Sequence, residues 1–277
     1  MELQHGVAIV TGAGGGIGSA VARRLSDEGA ALVLSDRDGD ALERVLAALP
    51  RGGTARAIVG DVARPEHHEE LVATAERLRE GTGGELLSVL NAGVYLPGLS
   101  WEVPLEQWQL QVDVNLWGVV HGVRAVVPSM IERGGGHVVA MASGAGLVAT
   151  PALAPYVATK HAVVGLMESL HHELARAAPD VHASVVCPGN VRTPMAANSL
   201  ATAGIRDEQL SDEAAVVAAT VRAGNDAGQD ASTVADAIVA AVQEQRFWVL
   251  PQPEVAWGAI DRVQRIMDGR EPVDLLG

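Results

Sequence analysis

The chain has 277 residues, 48% hydrophobic and 19% charged, enough apolar material for a large core and too much for a disordered chain. Its 20 basic and 34 acidic residues leave a net charge of −14, which argues against a nucleic-acid or anionic-membrane partner. The single cysteine, Cys187, excludes an internal disulfide, no apolar run reaches the roughly 18 to 20 residues of a membrane span, and MELQHGVAIVTG lacks the basic stretch of a signal peptide, so a cytoplasmic location is expected.

Strand and helix patterns alternate from the start. Val7–Thr11 is a short apolar run that reads as a buried strand, and Gly16–Glu28 carries apolar residues at helical spacing before Gly29. Ala31–Ser35 is a second strand and Asp38–Leu49 a second helix. Ala55–Val59, Leu86–Leu90, His137–Ala142, Val181–Val186 and Phe247–Leu250 complete seven strands. Pro65–Arg79 reads as a helix, as does Leu105–Arg133, with Pro128 as an internal break. Pro155–Ala178 is a helix stopped by Pro179. Gly189–Ser232 breaks the rhythm, and an insertion of this length at a sheet edge is expected to cover a ligand. Thr233–Gln245 and Glu254–Met267 are the last helices. This order predicts an α/β chain, with a mostly parallel, doubly wound sheet of about seven strands flanked by helices. A single domain is expected over 1–277, with a lid at about 190–232 and a C-terminal helix at about 254–268.

TGAGGGIG, Thr11–Gly18, joins the first strand to the first helix. Glycines there let backbone amides approach a pyrophosphate at a helix N-terminus, whose dipole favours anions. Gly12, Gly16 and Gly18 fit G-x-x-x-G-x-G spacing rather than G-x-G-x-x-G. Asp36 follows the second strand, 18 residues after Gly18. A carboxylate at this offset accepts ribose hydroxyls and repels a 2′-phosphate, so NAD is expected over NADP. The neighbouring Arg37 could serve a 2′-phosphate instead.

Of the 20 basic residues, 19 are arginine and one is Lys160, four residues after Tyr156. A tyrosine and a lysine at i and i+4 share one helix face, where an ammonium can stabilise a phenolate. An accidental surface lysine beside an ordinary tyrosine satisfies the same spacing. A free tyrosine has a pKa of about 10, and lowering it by about 3 units requires about 4 kcal/mol of preferential phenolate stabilisation.

Together these features resemble the short-chain dehydrogenase/reductase family, over Gly6 to about Pro194 and more weakly to about Leu250. The matching motifs are Thr11–Gly18, Asp61–Val62, Asn91-Ala92-Gly93, Asn115, Ser143, Tyr156 with Lys160, and Pro188–Gly189 followed by Thr193. The resemblance implies a Rossmann-like fold and a catalytic set. Ser143 would hold the substrate oxygen and Tyr156 would pass the proton. Lys160 would lower the tyrosine pKa and bond the nicotinamide ribose, and Asn115 would anchor a proton-relay water. Gly12, Gly16 and Ile17 would line the pyrophosphate, Asp61 and Val62 the adenine, Asn91 and Gly93 the adenosine ribose, and Val191 and Thr193 the carboxamide. The RFWVLPQPEVAWGAIDRVQRIMDGREP tail departs from the Asp-Gly-Gly ending of many members, so the usual tetramer is in doubt and a homodimer or homotetramer is expected.

The substrate side should be lined by Leu96, Leu99, Leu147, Val148, Leu153, Asn190 and Met195, with few charges besides the nearby Arg192. That composition predicts a neutral, largely apolar secondary alcohol or ketone. An NADP-dependent carbonyl reductase, a non-catalytic dinucleotide sensor and an epimerase or dehydratase are the competing readings. The adjacent pairs His67–His68 and His171–His172 diverge by about 100° on a helix, so no metal site is expected. The charges of Arg64–Arg79 fit a solvated helix face. Trp257, Ile260, Val263 and Ile266 or Met267 form a packing stripe.

Overall fold

The computed structural model describes residues 1–50 and 53–273. Its strands are β1 (Val7–Thr11), β2 (Ala31–Asp36), β3 (Ala55–Val59), β4 (Leu86–Leu90), β5 (Gly136–Met141), β6 (Val181–Val186) and β7 (Trp248–Val249). Its helices are α1 (Gly16–Asp27), α2 (Gly39–Ala48), α3 (Pro65–Thr82), α4 (Leu105–Val112), α5 (Gly118–Glu132), α6 (Ala154–Ala177), α7 (Met195–Ala203), α8 (Asp212–Asp226), α9 (Ala231–Gln243) and α10 (Glu254–Met267). The strands form one parallel sheet in the order β3-β2-β1-β4-β5-β6-β7. β1, β4 and β5 are buried along their whole length, which is why they read as unbroken apolar runs rather than alternating ones. The edges are blunted: β3 carries exposed Arg56 and Val59, and β7 is two residues long.

Alternation along each strand divides the core into two layers. Ala8, Val10, Leu32, Leu34, Val139 and Val186 face α1 and α9, where they meet Val21, Leu25, Val234 and Ile238. Val7, Ile9, Val33, Val138, Ala140 and Val185 face α3, α5 and α6, where they meet Leu71, Met130, Val163 and Met167. Cys187 belongs to this second layer and is fully buried, and burial pushes its thiol up to about 12. It is a packing residue with no reactive thiolate at neutral pH.

Several boundaries differ from the sequence reading. The stretch Leu105–Arg133 is interrupted at Asp113–Trp117 by a π turn, whereas Pro128 sits inside α5 without ending it. A π turn inserts one residue per turn, and no composition signal marks it. The stretch Leu105–Glu132 is also long and apolar enough to cross a membrane by length and composition alone, contrary to the sequence reading. In this fold its α5 part packs on α3 and the sheet. The irregular stretch Gly189–Ser232 contains α7 and α8, whose alanine-rich sequences carry little periodicity. The last strand shortens to Trp248–Val249. On α3 the solvated-face reading holds for Arg64, Glu66, Glu69 and Glu70, but Arg79 is buried, paired with Glu76 at 2.8 Å and donating to the Gly84 carbonyl at 2.9 Å. The apolar stripe of α10 is solvent-exposed in the single chain, with Trp257 at 68% and Met267 at 76%.

Two histidines tie stability to pH. His68 is buried with Nε2 3.0 Å from the Val62 carbonyl, and burial lowers its pKa to about 4. His137, wholly buried in β5 with Nε2 2.7 Å from Ser184 Oγ, is lowered to about 3. Unfolded histidine titrates near 6.5. Between that value and the folded ones, the unfolded chain binds more protons, so stability falls as pH falls. Each histidine should remove on the order of 3 kcal/mol between pH 6.5 and its folded pKa. Urea midpoints measured from pH 7 to 4 should therefore decline, and His68→Gln should flatten part of the decline. A flat wild-type profile would contradict this.

Candidate active site

The loop between β1 and α1 is built for close approach. Gly12 adopts φ +64°, and a Cβ there would lie 2.9 Å from Ala92 Cα. A Cβ on Gly18 would lie 2.1 Å from the Gly12 carbonyl oxygen, so α1 packs onto its own entry loop only with glycine at that position. The end of β4 is stitched to this loop. Asn91 Nδ2 donates to the carbonyls of Thr11 and Gly12 at 2.9 and 3.1 Å, and Thr11 Oγ1 accepts from the amides of Asn91 and Ala92.

At its start α1 has Gly15 as N-cap, no side-chain cap and no acidic residue in its first turn. Among the described residues its terminal amides thus have no side-chain cap, and a Cβ on Gly15 would meet open space. Helix α2, by contrast, is capped by Asp38, which accepts from the Ala41 amide at 3.0 Å. An uncapped N-terminus opening on a cleft suits a phosphate group. Beside it, Asp36 accepts from the Gly14 amide at 2.8 Å and the Asp38 amide at 3.1 Å, which fixes its carboxylate at the cleft wall. Gly12, Gly16, Ile17, Asp36, Arg37, Asp61, Val62, Asn91, Ala92 and Gly93 all line one cleft of about 840 Å³. Gly18 does not; it serves the packing described above.

The same cleft continues over the carboxyl ends of β4, β5 and β6, and takes in Ser143, Tyr156, Lys160, Pro188, Gly189, Val191 and Thr193. Ser143 follows β5, and its Oγ accepts from the Ala145 amide at 3.1 Å. Tyr156 lies in the first turn of α6, where Pro155 suits the helix start. Lys160, one turn on, is 2% exposed; its Nζ donates to the Met141 carbonyl at 2.7 Å and sits 5.6 Å from the centre of the Tyr156 ring. Asn115, in the π turn, is fully buried. Its amide donates to the Val94 carbonyl and Thr159 Oγ1 and accepts from the Val94 amide at 2.8 Å. Thr159 in turn donates to the Tyr156 carbonyl at 2.8 Å, so the π turn and the first turn of α6 are braced together.

The electrostatics depart from expectation at Tyr156. Its pKa is raised from the usual 10, because burial outweighs the hydrogen bond from the Ser143 side chain, which acts the other way. The ammonium does not reverse this, since it lies over the ring and bonds a carbonyl rather than the phenol oxygen. Lys160 itself is lowered to about 8 by burial. It still carries its charge at neutral pH.

At the other end of the cleft, Val148, Leu153, Asn190 and Met195 line the wall as the sequence reading has them. Leu96 and Leu147 do not. Leu96 is wholly buried, with its amide donating to Gln111 Oε1 at 3.1 Å, and Leu147 packs on the layer beneath α6. Leu99 packs against the small cluster of Tyr95, Ala152, Leu153, Ala196 and Val217 without lining the cleft. Arg192 turns outward to the carbonyls of Asp226 and Gly228 and to Asp230. Tyr95, Asn198, Thr220 and Val221 also line the cleft; they lie in the segments Val94–Trp101 and Met195–Ser232 expected over the site but were not singled out, and sequence reasoning missed Leu110 and Val114 altogether. Tyr95 packs edge-on to Tyr156 with ring centres 5.9 Å apart. Its place four residues after Asn91 was the available signal. The α8 residues carried none, because α8 itself was not legible.

The family model for short chain dehydrogenases matches residues 6–204. A dehydrogenase/reductase of CLA biosynthesis from Lactiplantibacillus plantarum is 32% identical, over 99% of this chain and 98% of that protein. A 1-deoxy-11-beta-hydroxypentalenate dehydrogenase from Streptomyces exfoliatus is 36% identical, over 90% of this chain and 84% of that protein. Among solved structures, a short chain dehydrogenase/reductase from Burkholderia phymatum in complex with NAD superposes with a TM-score of 0.93 at 33% identity. It covers 100% of this chain and 99% of its own, so the likeness runs through α10 as well.

Proposed function

This chain belongs to the short-chain dehydrogenase/reductase family of oxidoreductases acting on CH–OH carbons, and we propose that it is an NAD-dependent dehydrogenase of a neutral, largely apolar secondary alcohol or the corresponding ketone. The convergence of Ser143, Tyr156 and Lys160 in one cleft with the uncapped start of α1 carries this reading. Nicotinamide, when bound, takes or returns the hydride of the substrate's carbinol carbon. Everything else falls to the chain.

Gly12, Gly16 and Ile17 would hold the pyrophosphate, Asp61 and Val62 the adenine, Asn91 and Gly93 the adenosine ribose, and Val191 and Thr193 the carboxamide. Ser143 would hydrogen-bond the substrate oxygen. Tyr156 would accept the hydroxyl proton as the C–H bond breaks during oxidation, or donate it during reduction. Lys160 would hold the nicotinamide ribose. Its charge acts on Tyr156 together with that of oxidised nicotinamide, and the two would bring the phenol back down from the raised value it has in the free chain. The Asn115 side chain is taken up by Val94 and Thr159. A proton relay at this residue would therefore use its backbone carbonyl in the π turn.

The substrate class follows from the lining. Val148, Leu153, Met195, Val221 and Tyr95 line the same cleft as Tyr156, together with uncharged Thr150 and Asn198. An anionic substrate would lose its hydration there without a paired charge. Helices α7 and α8 would act as the lid. The exposed Leu105, Trp117 and Ile131 of the α4–α5 stretch offer a surface for a homodimer or homotetramer.

NADH fluorescence against a panel of secondary alcohols and ketones tests the substrate class, and the Michaelis constants for NAD and NADP test the cofactor. Turnover of apolar alcohols with NAD at least tenfold preferred is expected. Asp36→Asn, which removes the repulsion and leaves Arg37, should move the preference about tenfold or more toward NADP. Turnover confined to small carboxylates would overturn the substrate reading, and an NADP-preferring wild type would overturn the cofactor reading.

A further inference from the structure

The loop after β6 carries the residues assigned above to the nicotinamide end, and it is gripped by a side chain from the C-terminal segment. Gln252, 8% exposed, accepts from the Gly189 amide at 3.0 Å and donates to the Asn190 carbonyl at 2.9 Å. One primary amide thus pairs with the donor of one residue and the acceptor of the next, as a neighbouring strand would. The loop's other supports come from elsewhere. The Pro188 carbonyl accepts from the Gly144 amide at 2.8 Å, and Asn190 and Val191 run beside Gln229. Gln252 also leads into α10, through the Val255 amide on its carbonyl at 3.1 Å. The Val255 side chain lies over the same loops, so that a Cβ on Gly189 or Gly144 would come within 3.3 or 3.4 Å of it. The segment that departs from the family's usual ending therefore rests directly on the Ser143 loop and the Pro188–Gly189 turn.

We propose that Gln252 is a positioning residue for the nicotinamide end of the cleft. It fixes the backbone of residues 189–190, so that Val191 and Thr193 are presented to the carboxamide, and the C-terminal helix holds it in place. This rests on the dinucleotide reading of the cleft and is independent of the substrate. Among the described residues, the adenosine end, built on the α1 loop, Asp36 and Asp61, makes no hydrogen bond to Gln252. Its loss should be felt at one end of the cofactor only.

The test compares NADH with ADP-ribose, which lacks the nicotinamide, by titration calorimetry on the full chain. In Gln252→Leu the Gly189 amide loses its acceptor while the Asn190 carbonyl keeps the Gln229 amide at 3.2 Å, and the ratio of the two affinities should fall about tenfold, while ADP-ribose binds within about twofold of wild type. Gln252→Glu keeps an acceptor for the Gly189 amide but sets a carboxylate against the Asn190 carbonyl. It should show the same one-ended loss and serves if the leucine variant fails to fold. An unchanged ratio in a folded variant, or equal losses for both ligands, overturns the proposal. So does a wild type that binds NADH no more tightly than ADP-ribose. A wild type that favours NADH, loses that preference in both variants and yet oxidises no alcohol would sink the substrate reading and sustain this one.

Discussion

A Tyr156→Phe variant should turn over about 10³-fold more slowly than wild type, with NAD affinity within about twofold. The substitution removes one oxygen and keeps the ring, so the edge contact with Tyr95 survives, as does the Thr159 bond to the residue 156 carbonyl. Loss of the hydroxyl's hydrogen bond with Ser143 should cost about 1 kcal/mol of stability. Thermal melting and steady-state kinetics on the same preparation separate the two effects. A folded variant with near wild-type turnover would mean that the substrate proton leaves by another route. The free chain gives this prediction its edge. Burial holds the Tyr156 pKa above its ordinary value, so proton transfer at neutral pH depends on charges brought into the cleft around it.

What could be read from sequence, and what could not, follows from where the constraints lie. The strands announced themselves because a parallel sheet covered on both faces demands unbroken apolar runs, as in Val7–Thr11 and Leu86–Leu90. The glycine loop and Asp36 were legible because close backbone approach and a carboxylate held at the cleft wall by two backbone amides each restrict a position to very few residue types. Leu96 and Leu147 were misplaced because a hydrophobic residue near a site looks the same whether it lines the cleft or packs beneath it. The π turn at Asp113–Trp117 was invisible because its cause is tertiary: Asn115 must reach Val94 and Thr159 at once. Helix α8 left no clear pattern because Ala214, Val217 and Ala218 are its only fully buried residues, too few for a clear apolar face. Gln252 was passed over for a related reason. A lone glutamine after a short edge strand carries no signal until the loop it grips is known.

Two substitutions at Lys160 should act in opposite directions on stability while both disable the enzyme. The ammonium is 2% exposed and faces the Met141 carbonyl with no carboxylate beside it among the described residues, and burial lowers its pKa from the usual 10.5 to about 8. A lysine lowered on folding binds fewer protons folded than unfolded between those values. The destabilisation is therefore fully present below pH 8 and fades as pH rises toward 10.5. Lys160→Met keeps the length and removes the charge, so at pH 7 it should raise stability by roughly 2 kcal/mol, somewhat less than the shift alone implies because the Met141 carbonyl loses a donor. The gain should shrink above pH 9, which urea midpoints at two pH values would reveal. Turnover should nevertheless fall about 10³-fold, since the role proposed for Lys160, holding the ribose and favouring the phenolate, needs a cation. Lys160→Arg keeps the charge and should fail for want of space. Nζ bonds the Met141 carbonyl at 2.7 Å with Gly93 close on its other side, so a broad planar guanidinium cannot take the same place without shifting these neighbours. This variant should lose stability and about 100-fold in turnover. A stable, active arginine enzyme would reduce the chain's one lysine to a matter of charge. A methionine variant less stable than wild type at pH 7 would mean that the buried ammonium has a stronger partner than the Met141 carbonyl.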